Sequence, residues 1–211
     1  MGFDFFFIER AWEYVRWVLC GLILFFLFAP TIAIIPLSFN AEPYFTFPMP
    51  GLSTQWYEKL VDSEAWRGAF ATSLIVGIST TILATLLGTL AALGLTLTDF
   101  RMKAVVMGLL ISPMMVPTII TGVGMFFLYA WLGVLYTIPG LIMAHTVLAL
   151  PFVVLIVTAT LANFNVNLMR AGASLGANPI EVFFKIVLPV ILPGVLGGAV
   201  LAFVASFDEL I

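Results

Sequence analysis

Four stretches of this chain, residues 17–41, 68–98, 104–169 and 186–207, each run for more than 20 residues without an Asp, Glu, Lys or Arg. A helix needs about 20 apolar residues to cross the hydrocarbon of a bilayer. Inside lipid, an isolated segment satisfies its own backbone only as a helix. The 104–169 run is long enough for two crossings, and residues 133–140 (GVLYTIPG) supply the natural break. Five spans follow: 17–37, 69–97, 105–132, 141–161 and 186–207. With 63% hydrophobic residues, 9% charged residues and a mean hydropathy of +1.19, the chain has too few polar groups to cover a soluble core. The expected fold class is an all-α polytopic membrane helix bundle, a single transmembrane domain over residues 1–211.

Charge placement orients the bundle. With the N-terminus inside, the inner segments hold Arg10, Arg16, Arg101, Lys103, Arg170 and Lys185, and the outer segments hold only Lys59 and Arg67. Cytoplasmic loops carry the excess of Lys and Arg. The expectation is a multi-pass membrane protein with a cytoplasmic N-terminus, an outer loop over 38–66 and a cytoplasmic loop over 162–185. The first span is too long for a signal peptide, and Arg10 and Arg16 before it are mixed with Asp4, Glu9 and Glu13, so it reads as a retained helix. In the outer loop, residues 52–60 read as a short interfacial helix capped by Ser53 or Thr54. Trp56, Tyr57 and Trp66 suit an aromatic belt at the membrane interface, a reading compatible with the sharper one of a docking surface for a partner outside the cell.

The spans carry packing signals and pathway signals. Ser73, Gly77, Thr81, Ala84, Gly88 and Ala92 recur at steps of three or four, which places them on one helix face. Small residues there let helices approach closely in lipid. Pro113 and Pro117 remove two backbone donors in the third span, and Thr121 follows. A discontinuous helix of this kind either lines a solute pathway or is a packed kink. The lone His145 reads as a hydrogen-bonded packing residue. One histidine, one cysteine (Cys20) and no clustered core carboxylates make no metal site and no nucleophile–base pair, so no enzyme is expected. Lys59, Lys103 and Lys185 are preceded by Glu58, Met102 and Phe184, so no phosphate-cradling Gly-Lys-Ser/Thr loop exists and the chain binds no nucleotide by that means.

Residues 170–189 read RAGASLGANPIEVFFKIVLP, a polar island bounded by spans. Helix 168–175 is expected to end at a left-handed Gly176. A second short helix starts at Asn178 with Pro179 first and Glu181 closing a capping box. Ala171, Gly176, Ile186, Leu188 and Pro189 fall on the spacing Glu-Ala-Ala, three residues, Gly, nine residues, Ile, one residue, Leu-Pro. The stretch thus resembles the cytoplasmic loop of ABC-importer permeases, the inner-membrane subunits of binding-protein-dependent transport systems. Arg170 stands at the Glu position and Gly172 at the second Ala. Leu150 to Val157 (LPFVVLIV) and the ending Ser206-Phe207-Asp208-Glu209 resemble the spermidine/putrescine-type permeases.

The resemblance implies a solute pathway formed with a second permease subunit, a solute-binding protein outside, membrane lipid around and two ATP-binding subunits inside. ATP is used by those partners, no cofactor is bound by this chain, and no nucleic acid is involved. It implies that Arg170, Ala171, Gly172, Leu175, Gly176, Pro179, Phe183, Ile186, Leu188 and Pro189 form the loop gripped by the ATPase. Leu175 and Phe183 would be its apolar knobs, and Pro189 the point where the last span restarts. Asp208 and Glu209, adjacent carboxylates near the bilayer, read either as attractors of a cationic solute or as hydrated interface groups; with Pro113, Pro117 and Thr121 they form the candidate pathway set. Family members continue into a sixth span, whereas this chain stops after its fifth, so a fragment or shortened reading frame is expected. The rival readings are an ion-coupled carrier, for which His145 is the one mid-membrane ionisable group, and a truncated, non-transporting scaffold.

Overall fold

The computed structural model describes residues 3–209, with side chains from Glu9 onward. Among them the only strand-like pairing is a single bridge between Asn40 and Leu52. The helices are α1 (Phe3–Leu37), α2 (Gln55–Asp62), α3 (Glu64–Leu97), α4 (Lys103–Met115), α5 (Thr118–Leu132), α6 (Ile138–Ala162), α7 (Asn167–Ser174), α8 (Pro179–Val182) and α9 (Leu188–Phe207), with a π-helical turn, Phe183–Val187, between the last two. The chain divides into two compact units, Met1–Gly68 and Ala69–Ile211.

The first unit holds α1, apolar and exposed from Glu9 to Leu37 apart from a few half-buried positions, and a loop folded around Asn40. Asn40 is buried. Its amide donates to the Tyr44 carbonyl (2.9 Å) and Thr46 Oγ1 (3.1 Å), and its own carbonyl accepts from Trp56 Nε1 (2.8 Å). α2 begins at Gln55, later than the expected 52–60. Neither expected cap forms in the usual way: the Thr54 hydroxyl donates to Glu58 Oε1 at 2.7 Å, and Ser53 Oγ accepts from the Gln55 N–H at 3.2 Å.

In the second unit the core runs along α3, α6 and α9. Gly77, Ala84, Gly88 and Ala92 of the small-residue stripe are buried, while Ser73 is exposed and Thr81 half-buried. A Cβ on Gly88 would lie 2.7 Å from Val153 Cβ, so only glycine admits α6 at this crossing. Gly194 packs against Thr160, Gly198 against the Val153 backbone, and His145 against Ser206. Those pairs make α6 and α9 antiparallel. Gly77 faces Phe203 while Leu93 and Leu97 lie beside α7 and α8, so α3 runs parallel to α6.

Parallel neighbours require the chain between them to return to the starting end, and α4 and α5 make that return. The expected continuous span 105–132 is instead two helices bent by 104°. The break falls at Val116, whose ψ of 134° is extended. The Pro117 ring disfavours helical angles in the residue before it and has no N–H to donate, and here Val116 yields, whereas Pro113 sits inside α4 without ending it.

The candidate coupling loop and the pathway residues

α7 covers Asn167–Ser174, within one residue of expectation at each end, but no asparagine side chain occupies its N-cap position, which is Val166. Asn165 acts one residue earlier, its Oδ1 accepting the Asn167 N–H at 3.0 Å. Leu175 closes the helix and Gly176 follows at φ +88°, a conformation that costs an L-residue about 1 kcal/mol or more. The chain then turns into α8. Asn178 Oδ1 accepts the Glu181 N–H (3.0 Å) and Glu181 Oε2 accepts the Asn178 N–H (3.1 Å), a complete capping box with Pro179 in the first turn. Lys185 Nζ donates to Glu181 Oε1 at 3.0 Å. Glu181 lies before the uncharged 186–207 stretch. The Lys185 ammonium, with the Asn178 N–H, holds its carboxyl below the usual value, so this bond set is complete at neutral pH and loosens as pH falls through that lowered value.

Two expectations are corrected here. The last span does not restart at Pro189, because Pro179–Phe207 is one helix of 29 residues. The π turn accommodates the proline: the Leu188 N–H reaches back to the Phe183 carbonyl, so the register has already changed when the residue lacking a donor arrives. Nor is Phe183 an outward knob. It is half-buried and packs on the core with Ile186 and Leu188, while Leu175 is 89% exposed. Beside Leu175, Ile180 projects at 70% exposed and Phe184 at 59% exposed. A 3.6-residue period cannot anticipate the extra residue of a π turn, so the sequence pointed to the wrong phenylalanine.

Arg170, Ala171, Pro179 and Pro189 are exposed, and Gly172 is buried. Its hydrogen faces Ile186 Cδ1, where an added Cβ would stand 2.5 Å away, so two positions of the spaced motif touch each other across the bend. The Arg170 guanidinium donates to Asn167 Oδ1 at 3.4 Å. Behind the bend lies a cavity of about 480 Å³ lined mainly by Leu93, Leu97, Met169, Val182, Phe183 and Val187, with Arg170 at its edge.

The pathway residues fall into two groups. Pro113, Pro117 and Thr121 surround the α4–α5 break; Asp208, exposed, and Glu209, half-buried, follow α9. Beside that second group His145 Nδ1 stands 2.9 Å from Ser206 Oγ and 3.1 Å from the Ser206 carbonyl, a buried packing histidine as expected. A cavity of about 460 Å³ begins one residue past Thr121, between Gly122, Met125 and Tyr129 of α5, Thr72 of α3 and Ala144 of α6. The sequence offered no sign of it beyond the 133–140 break. Among the described residues no group of three His, Cys, Asp or Glu side chains is placed to hold a metal ion.

Residues 84–211, more than half of the chain, match the family described as binding-protein-dependent transport system inner membrane component. The chain belongs to that family. It is a permease subunit of an ABC importer, a multi-pass inner-membrane protein of a class that works with ATPase and solute-binding partners. The permease is 34% identical over 186 residues to the spermidine/putrescine transport system permease protein PotC of Escherichia coli (strain K12), covering 88% of this chain and 70% of that one. It is 31% identical over 206 residues to the PotC protein of Haemophilus influenzae, covering 98% and 77%. Its fold matches a chain of a bacterial ABC transporter involved in the import of the acidic polysaccharide alginate, with a TM-score of 0.70 at 16% identity over 94% of this chain and 71% of that one.

Proposed function

We propose that the permease imports polyamines or similar small organic cations, and that the α7–α8 bend is the cytoplasmic handle by which separate ATPase subunits work it. The observation that carries the substrate class is the 34% identity to a spermidine/putrescine permease over 88% of the chain. The handle rests on the bend itself, where a left-handed glycine and a complete capping box fix the angle between two helices, and the second passes without interruption into a membrane span. A push on α8 is therefore a push on α9.

Charge supports the orientation. In residues 69–211 every Lys and Arg (Arg101, Lys103, Arg170 and Lys185) lies at or just beyond the end of the bundle formed by Leu97, α7 and α8, and Asp208 and Glu209 lie at the other. That end is the cytoplasmic one, and α1, crossing once, puts the N-terminus there too. ATPase closure moves the bend and opens the pathway alternately to either side. A second permease subunit completes that pathway, and the solute-binding protein loads it from outside. The chain itself binds no cofactor.

The test is uptake by vesicles holding the permease with its partner subunits. Labelled putrescine accumulates when ATP is supplied inside and not when a proton or sodium gradient replaces it. Gly176→Val, which forces a β-branched residue into the left-handed region, leaves ATP hydrolysis running and cuts uptake by at least about tenfold. Gradient-driven uptake, or full uptake by the Val variant, contradicts the reading.

A further inference from the structure

Between α1 and α2 the first unit forms an open pocket of about 530 Å³, largely apolar, whose lining includes Glu42, Tyr44, Trp56, Tyr57, Lys59 and Trp66. Side-chain bonds hold two of these rings, Trp56 and Tyr57. The Trp56 indole N–H is fixed on the Asn40 carbonyl at 2.8 Å, and the Tyr57 hydroxyl lies 2.6 Å from Ser38 Oγ. The Tyr57 ring packs against Phe39 at 5.2 Å, and Asn40 ties down the Tyr44 backbone. An ammonium already uses the site: Lys59 Nζ stands 4.4 Å from the centre of the Trp56 ring. An aromatic face attracts a cation through its negative quadrupole, most strongly for tryptophan. Glu42 adds a carboxylate to the same pocket.

We infer that this pocket is a binding site for a small organic ammonium ion, whose charged end takes the place of Lys59 over Trp56 and whose second polar end or alkyl stem lies between Glu42 and the exposed tyrosine and tryptophan faces. Lys59 is the internal competitor that keeps the ring occupied when no ligand is present. A plain interfacial aromatic belt needs neither Glu42 nor Lys59. The ligand class rests on the cation-import reading above; the site rests on the geometry of the 38–66 loop alone.

The full chain is held in phosphatidylcholine nanodiscs with Trp12, Trp17 and Trp131 changed to Phe, so that emission reports only Trp56 and Trp66. Putrescine, butylammonium and neutral 1-butanol are the probes. The two amines quench saturably and butanol does not. Glu42→Gln weakens amine binding about 3- to 10-fold, and Lys59→Gln, by removing the competitor, tightens it by a similar factor. A merely structural lysine gives no tightening. Equal binding of butanol, or Lys59→Gln with unchanged or weaker amine affinity, overturns the inference. If no amine binds while the assembled transporter takes up putrescine, the site falls and the import reading stands. If amines bind as described while ATP drives no uptake, the import reading falls and the site stands.

Discussion

Thr80 on α3 is 0% exposed, and its hydroxyl finds no hydrogen-bond partner among the described residues. Thr85, Thr89 and Thr96 on the same helix, and Thr158 on α6, share the second feature. An unpaired buried hydroxyl costs stability, whereas an apolar group of the same shape does not. Thr80→Val therefore raises the unfolding midpoint of the chain in nanodiscs, by the equivalent of about 1 kcal/mol. A lowered midpoint in a thermal scan would show that the hydroxyl is satisfied in the membrane. Gly172 illustrates what single residues hide. The sequence shows it as a departure from the family's alanine. The structure shows that the missing methyl is where Ile186 sits.

At the scale of elements, the local chemistry was readable where it depends on neighbours in sequence. Asn178, Pro179 and Glu181 announce a helix start, and the capping box forms with both bonds. Pro117 announces a break, and the chain bends there by 104°. What could not be read depends on residues far apart. The π turn ahead of Pro189 reassigns which phenylalanine faces out. The cavity beyond Thr121 exists only because residues of α3, α5 and α6, far apart in sequence, line it together. The bend makes its own prediction. Spin labels at Val105 and Phe127, both exposed, report the angle between α4 and α5. Pro117→Ala frees Val116 to become helical, and the distance lengthens toward the ~33 Å of a straight helix with 1.5 Å rise per residue. An unchanged distance means that the packing of α4 against α6, not the proline, sets the bend.

For the molecule as a whole, hydropathy and the absence of charge gave the class of fold, because lipid leaves a spanning segment so few options. Counting crossings needed the structure. Only the parallel run of α3 and α6 shows that the bent α4–α5 pair makes one net crossing. The import reading joins these scales: one end of the second unit carries the cations and the bent helices, and the long final helix carries motion at that end through the bundle. The solitary native thiol, Cys20, allows a direct test. With Cys20→Ser as background, a cysteine at Ile180 is cross-linked in vesicles that hold the permease and the ATPase subunit purified with it. The expected result is a cross-link to the ATPase whose yield changes when ATP is added, and labelling of position 180 by a membrane-impermeant thiol reagent only from the cytoplasmic side. Labelling from the outer side, or an ATPase that copurifies yet never cross-links to position 180, would contradict it.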